Sequence, residues 1–90
     1  MISGAVRVPA GTLLHLQPGE WNLLGVPALE ATTLRLVAVD GDDPRTREGE
    51  LEVWVWAHLP SCGDPDRPGH RDCYGGYVRV SAIERAGTAP

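Results

Sequence analysis

The sequence predicts an all-β fold, a small five-stranded barrel with long loops. The chain has 90 residues, which is enough for one domain with a single core. Its 11 glycines and 8 prolines leave little room for a long uninterrupted helix. Several short segments alternate apolar and polar residues, which is the pattern of a strand with one buried face. We therefore expect one domain over residues 1–86 and a frayed tail over residues 87–90.

The strand pattern is clearest in residues 50–59, where β-branched and aromatic residues dominate. One face of this segment carries Leu51, Val53, Val55, Ala57 and Leu59, and the other carries Glu50, Glu52, Trp54, Trp56 and His58. In residues 34–40 the same alternation predicts Leu34, Leu36 and Ala38 on one face. The predicted strands in order are residues 5–8, 12–17, 34–40, 50–59 and 76–83.

Three long connections separate these strands. Residues 20–33 are predicted to form an irregular loop, because Gly25 and Pro27 interrupt any helical run. Residues 40–49 form a polar link that is predicted to be a long hairpin. Residues 61–75 form a second polar loop, which holds both cysteines of the chain.

The second half of the chain resembles bacterial SH3-like modules. A strand with two tryptophans (EVWVWAHL) precedes a closing strand that begins with two glycines (GGYVRVSAI). The resemblance implies an SH3-like barrel. The peptide-recognition motifs of eukaryotic SH3 domains are not visible, so the resemblance implies no ligand.

The chain also resembles small uncharacterised proteins of high-GC actinobacteria. The shared features are a Pro-Gly-Glu-Trp loop at 18–21, an L-R-x-x-x-V strand at 34–39, a V-W-V strand at 53–55 and a V-R-V-x-A-I ending at 78–83. The absence of lysine is typical of such a source. This resemblance supports the fold and implies no activity.

Charge and hydropathy exclude several classes of function. The formal net charge is -4, which argues against general polyanion binding, so nucleic acid is not an expected partner. The first residues lack the basic start and apolar run of a secretory signal. The longest apolar stretch, residues 53–59, is far shorter than the roughly 20 residues that span a bilayer. We expect a cytoplasmic protein that does not bind membranes.

The sharpest chemical pattern is a pair of His/Cys motifs. His58 and Cys62 are followed by His70 and Cys73, which together offer four nitrogen and sulfur ligands. Zinc prefers a tetrahedral set of such donors, and close pairs let two turns chelate one ion. The pattern therefore allows a structural zinc site, the only cofactor that the sequence suggests, but zinc is not the favoured interpretation of the cysteines.

Other readings of the same residues stay open. The favoured interpretation is a disulfide between Cys62 and Cys73, because the eleven-residue separation is easily closed and the bridge needs neither histidine. In a reducing compartment both cysteines could also remain thiols. A cysteine nucleophile is disfavoured, because a loop rich in glycine and proline is a poor place to preorganise a catalytic pair.

A second pattern is aromatic and basic. Alternation places large aromatic and arginine side chains on one face of neighbouring strands, where they could stack on a flat ligand, clasp a peptide or pack against each other. Trp21 is predicted to plug one end of the barrel and could join this surface. The predicted binding residues are Trp54, Trp56, Arg35, Tyr77, Arg79 and Trp21.

The function predicted from these patterns is a non-catalytic binding or assembly module that engages a protein partner or a second copy of itself. No phosphate-binding loop, nucleophile elbow or pair of catalytic carboxylates is visible, so no enzyme is expected. The alternatives are a small barrel that binds single-stranded nucleic acid and a structural zinc-binding domain.

Overall fold

The structure is a computed structural model that describes residues 8–60, 62 and 73–88. Within these residues the chain forms six strands and one helix. The elements in order are β1 (Leu13–Leu16), β2 (Asn22–Leu23), β3 (Val26–Pro27), β4 (Thr32–Arg47), β5 (Glu50–His58), β6 (Tyr74–Arg79) and α1 (Val80–Thr88).

Four of the strands form an antiparallel sheet in the order β1-β4-β5-β6, which curls around the core as a half-barrel. The short strands β2 and β3 form a separate hairpin. A bridge between Trp21 and Val78 attaches the start of this hairpin to β6. The fold is therefore rich in strands, as the sequence predicts.

The core lies between the inner face of the sheet and helix α1. Leu14, Leu34, Val53 and Val55 are completely buried on the strands, and Ile83 is completely buried on the helix. The predicted inner residues of the segment 50–59 are all buried or half-buried, so the strand and its inner face are confirmed. Glu52 and His58 on the opposite face are buried as well.

Strand β4 departs from regular alternation at two bulges. The register shifts between Leu36 and Ala38, which turns Ala38 to the exposed side of the sheet. The prediction that Ala38 shares the buried face of Leu34 and Leu36 is therefore wrong, since one extra residue reverses the phase of a strand. A second shift, between Asp40 and Arg45, carries β4 through the predicted polar link to the hairpin turn at residues 48–49.

The C-terminal part differs most from the sequence prediction. The strand predicted over residues 76–83 ends at Arg79, and helix α1 begins at Val80. The apolar residues Val80, Ile83 and Ala86 recur every three residues, which is helical spacing, and they contact the core. The helix reaches Thr88, two residues into the predicted tail. The predicted strand-rich class is therefore confirmed, with one short helix in place of the end of the last predicted strand.

Two other predicted segments also change. Of the strand predicted at residues 5–8, the structure describes only Val8, which is not in a strand but packs against the core. The irregular loop predicted at residues 20–33 contains the β2–β3 hairpin. Within the described residues, no helix has the length and apolar character needed to span a bilayer.

Candidate functional site

The outer face of β5 carries three different side-chain environments in a row. Its register places Glu52 opposite Arg79, Trp54 opposite Tyr77, and Trp56 opposite Gly75 on β6. At the end of the strand His58 lies opposite Arg35 on β4. The sequence prediction that the aromatic and basic residues share one face is consistent with this register.

Glu52 lies at the first of these positions and is completely buried. One carboxylate oxygen accepts a hydrogen bond from Arg45 Nε at 3.0 Å, and the other accepts bonds from Arg47 Nη2 at 2.9 Å and Nε at 3.2 Å. Asn22 Nδ2 donates a longer bond of 3.4 Å to the same carboxylate. The second bulge of β4 makes this possible, because it brings Arg45 opposite Glu52.

These partners determine the charge state of Glu52. Burial alone would raise its pKa, but the hydrogen bonds from Arg47 and Arg45 outweigh burial and hold the pKa below its ordinary value. Tyr74 closes the same region by donating a 2.6 Å hydrogen bond to the carbonyl oxygen of Asn22. Burial raises the pKa of Tyr74 to about 12, so its hydroxyl keeps the proton that it donates. The cluster is a structural anchor for the β2–β3 hairpin.

The middle of the face is an aromatic cluster of Trp54, Trp56 and Tyr77. The ring of Trp54 meets both other rings edge-on, with centroids 5.5 Å from Trp56 and 5.3 Å from Tyr77. Arg45 lies 4.0 Å over the Tyr77 ring. The Trp56 ring packs over Gly75, where a β-carbon would lie only 2.6 Å from the ring. The cluster is packed internally, and only Trp56, 41% exposed, presents a large surface to solvent.

The remaining predicted surface residues are separated from this cluster. Arg35 is exposed and lies beside His58 at the far end of β5. Arg79 is half-buried and approaches Glu48 at 3.8 Å. Trp21 is only 6% exposed, packs against Tyr74 and donates from Nε1 to the carbonyl oxygen of Glu30. Trp21 therefore belongs to the core, and the interpretation of its side chain as surface is wrong.

Three of the four predicted zinc ligands converge at the end of β5. Ligand atoms of His58, Cys62 and Cys73 all lie within 4.8 Å of one another. His58 Nδ1 is 3.8 Å from Cys62 Sγ, and Cys73 Sγ accepts a 3.1 Å hydrogen bond from the Leu59 amide. The two sulfurs are not joined, so the alternative of a disulfide is not realised in this structure. His70, the fourth predicted ligand, lies outside the described residues.

The tip of the β2–β3 hairpin is an exposed apolar surface that the sequence reasoning missed. It consists of Leu23, Leu24, Val26 and Leu29, which we call the apolar tip; their exposures are 46%, 97%, 61% and 89%. Leu24 and Gly25 form a two-residue loop between apolar residues, but leucine is not among the residue types that indicate such a turn. The hairpin was therefore predicted as part of an irregular loop over residues 20–33.

The backbone at this tip is unusual. Leu24 and Gly25 have φ values of 54° and 85°, so both central residues of the turn have positive φ, as a type I′ turn requires. Glycine tolerates this conformation, whereas leucine pays about 1–2 kcal/mol for it. A strained and almost fully exposed leucine gains nothing from packing within the chain.

No protein-family model, curated protein or solved structure matches this chain. The resemblance to actinobacterial proteins therefore stays a prediction.

Proposed function

We propose that the chain is a non-catalytic assembly module, built on an SH3-like barrel, that binds a second copy of itself through the apolar tip. The observation that carries the proposal is Leu24, which is 97% exposed at a positive φ of 54°. Because the side chain is almost fully exposed, no packing within the chain offsets the strain of this backbone, which supports a role in binding. The curled antiparallel sheet supports the barrel part of the proposal.

The chemistry of the apolar tip favours a second copy as its partner. Residues 22–29 carry no charge, and the chain has no lysine and a net charge of -4. A polyanion or an anionic membrane surface therefore finds no basic side chain at the tip to bind. In a two-fold dimer the same uncharged residues meet each other, which buries aliphatic surface on both sides.

A second turn of the chain provides a matched control. Glu48 and Gly49 join β4 to β5 with φ values of 54° and 80°, nearly the same as at Leu24 and Gly25. Glu48, however, has an ion pair with Arg47 at 2.8 Å. The two turns therefore share a backbone conformation and differ in whether the side chain has a partner within the chain.

The test is sedimentation velocity of the full chain over a wide range of concentrations. We expect a concentration-dependent dimer that Leu24→Asn weakens by at least about tenfold, because burying a leucine contributes about 1.5–3 kcal/mol and 1.4 kcal/mol is tenfold in Kd. Leu24→Asn should also stabilise the fold, since asparagine tolerates positive φ. Glu48→Asn should leave association unchanged.

Two results would contradict the proposal. One is a wild-type chain that stays monomeric at every concentration. The other is a dimer that survives Leu24→Asn but is lost with Trp56→Ala, which would move the interface to the aromatic cluster. Trp56 is the second candidate surface because it is the most exposed member of that cluster.

A further inference from the structure

The end of β5 holds three metal-ligand side chains in an arrangement that suits one ion. The ligand atoms of His58, Cys62 and Cys73 lie within 4.8 Å of one another, so a single cation can reach all three. Around a tetrahedral zinc with ordinary Zn–S and Zn–N bonds, a sulfur and a nitrogen ligand lie about 3.6 Å apart. The observed separation of His58 Nδ1 and Cys62 Sγ is 3.8 Å. The His58 and Cys62 ligand atoms are therefore already near their bound spacing.

Rigid elements hold two of these ligands. His58 is the last residue of β5, and Cys73 directly precedes β6, its neighbour in the sheet. The Cys73 amide donates to the carbonyl oxygen of Ala57 at 3.1 Å, which extends the β5–β6 ladder by one bond. Ligands on paired strands keep their spacing better than ligands on a free loop, so less ordering is required when a metal binds.

A tight turn brings the third ligand back to the same place. Pro60 follows Leu59, and the Cys62 amide donates to the carbonyl oxygen of Leu59 at 3.0 Å. The Leu59 amide in turn donates to Cys73 Sγ at 3.1 Å. A sulfur that carries negative charge accepts such a bond better than a neutral thiol does, because charged acceptors form stronger hydrogen bonds. The turn thus supplies both a ligand and a donor that suits a metal-bound thiolate.

Surface exposure differs across the three ligands. His58 is 7% exposed and Cys62 is half-buried, whereas Cys73 is exposed. A cleft of about 290 Å³ beside them is lined in part by Arg35, His58 and Cys62. An ion from solvent can therefore reach the ligands without unfolding the sheet.

We propose that His58, Cys62 and Cys73 bind one Zn²⁺ ion, or a similar soft divalent cation, through one nitrogen and two sulfurs. Each thiol gives up its proton to solvent when the metal binds. The ion ties the turn after β5 to the start of β6, at the two ends of the segment over residues 63–72. This site is independent of the apolar tip, so the two proposals can fail separately.

The test uses the full chain, purified without a histidine tag, kept reduced and freed of metal with a chelator. Cobalt(II) is the probe, because tetrahedral cobalt with sulfur ligands gives strong visible bands and sulfur-to-cobalt charge-transfer bands. We expect one cobalt per chain, displaced by one zinc. Cys73→Ser and Cys62→Ser should each remove about half of the charge-transfer intensity. Each should also weaken binding by more than about 100-fold, since changes outside the ligand shell already cost about 10- to 100-fold.

His15→Ala is the matched control, because His15 is an exposed histidine on β1 outside the cluster and should leave binding unchanged. Circular dichroism of the metal-free variants checks that the substitutions leave the fold intact. If the variants do not fold, the cobalt spectrum of the wild-type chain still tests whether sulfur binds the metal. A wild-type chain that gives no charge-transfer band with cobalt overturns the proposal. So does a Cys73→Ser variant that binds as tightly as the wild type.

Discussion

The two ends of strand β5 both carry polar clusters on the outer face, and the two clusters differ in chemistry. At the first end, the buried Glu52 carboxylate receives hydrogen bonds from Arg45, Arg47 and Asn22. At the other end, His58, Cys62 and Cys73 bring three metal-ligand atoms together. The first arrangement pairs a charge with its counter-charges, whereas the second gathers donors that suit a cation. We infer that the first end is structural, and the metal ion proposed above would complete the second.

Removing the charge of Glu52 should cause the largest loss in the free energy of unfolding. Glu52→Gln removes the negative charge between Arg45 and Arg47 and is expected to lower the free energy of unfolding by about 3–5 kcal/mol, the usual cost of breaking a buried ion pair. Urea unfolding measures the change. Glu50→Gln, an exposed position two residues earlier on the same face, is the control and should change stability by less than about 0.5 kcal/mol. Equal effects of the two substitutions would contradict the structural role of Glu52.

Removing the metal ion from the His58 end should cause the next largest loss in the free energy of unfolding. With zinc at 100 times its Kd, the bound ion adds about 2.7 kcal/mol to the free energy of unfolding, which a chelator should remove. The two ends are six residues apart on one strand, or about 20 Å. Because effects at that distance are additive, Glu52→Gln should show the same gain from zinc as the wild type. If zinc did not stabilise the Glu52→Gln variant, the two ends would be acting as one unit.

Disturbing the aromatic cluster between the two ends should lower the free energy of unfolding by a smaller amount. Gly75→Ala places a β-carbon 2.6 Å from the Trp56 ring, so the ring must move. We expect a loss of about 1–3 kcal/mol in unfolding free energy, as for other overpacked sites, with a shift in tryptophan fluorescence. Gly41→Ala is the control, because a β-carbon at Gly41 meets nothing within 4 Å. If Gly75→Ala left the free energy of unfolding unchanged, it would contradict the packing of Trp56 over β6.

Acid should act on the Glu52 end in particular. The arginines hold the pKa of Glu52 below its ordinary value of about 4.3, so its stabilisation is complete above that pH and is lost as the pH falls through the lower folded-state pKa. The hydrogen bond from Arg85 lowers the pKa of Glu20 in the same direction. Stability measured against pH should therefore fall less steeply in acid for Glu52→Gln than for the wild type. Parallel curves would contradict the assignment.

The sequence predicts the strands whose alternation is regular, and the structure departs from it where the alternation breaks. Residues 50–59 were predicted correctly because each second residue is apolar. Ala38 was placed on the wrong face, and the position of Arg45 opposite Glu52 was not predicted, because bulges are decided by contacts with the partner strand and leave little local signal. The helix at Val80 was missed because its first residues also fit a strand.

The candidate sites follow the same rule. His58, Cys62 and Cys73 were predicted from their spacing, since short-range chelation depends on local sequence. The Glu52 cluster was not predicted, because Asn22 and Arg45 reach it only through the tertiary fold. The apolar tip was missed because leucine is an unusual residue at a positive φ.

X-ray absorption at the zinc edge tests the contrast between the two ends of β5 most directly. With one zinc bound to the full chain, we predict two sulfur neighbours at about 2.3 Å and nitrogen at about 2.0–2.1 Å. A shell of only oxygen and nitrogen would place the ion away from Cys62 and Cys73 and would contradict the claim that a metal completes the His58 end.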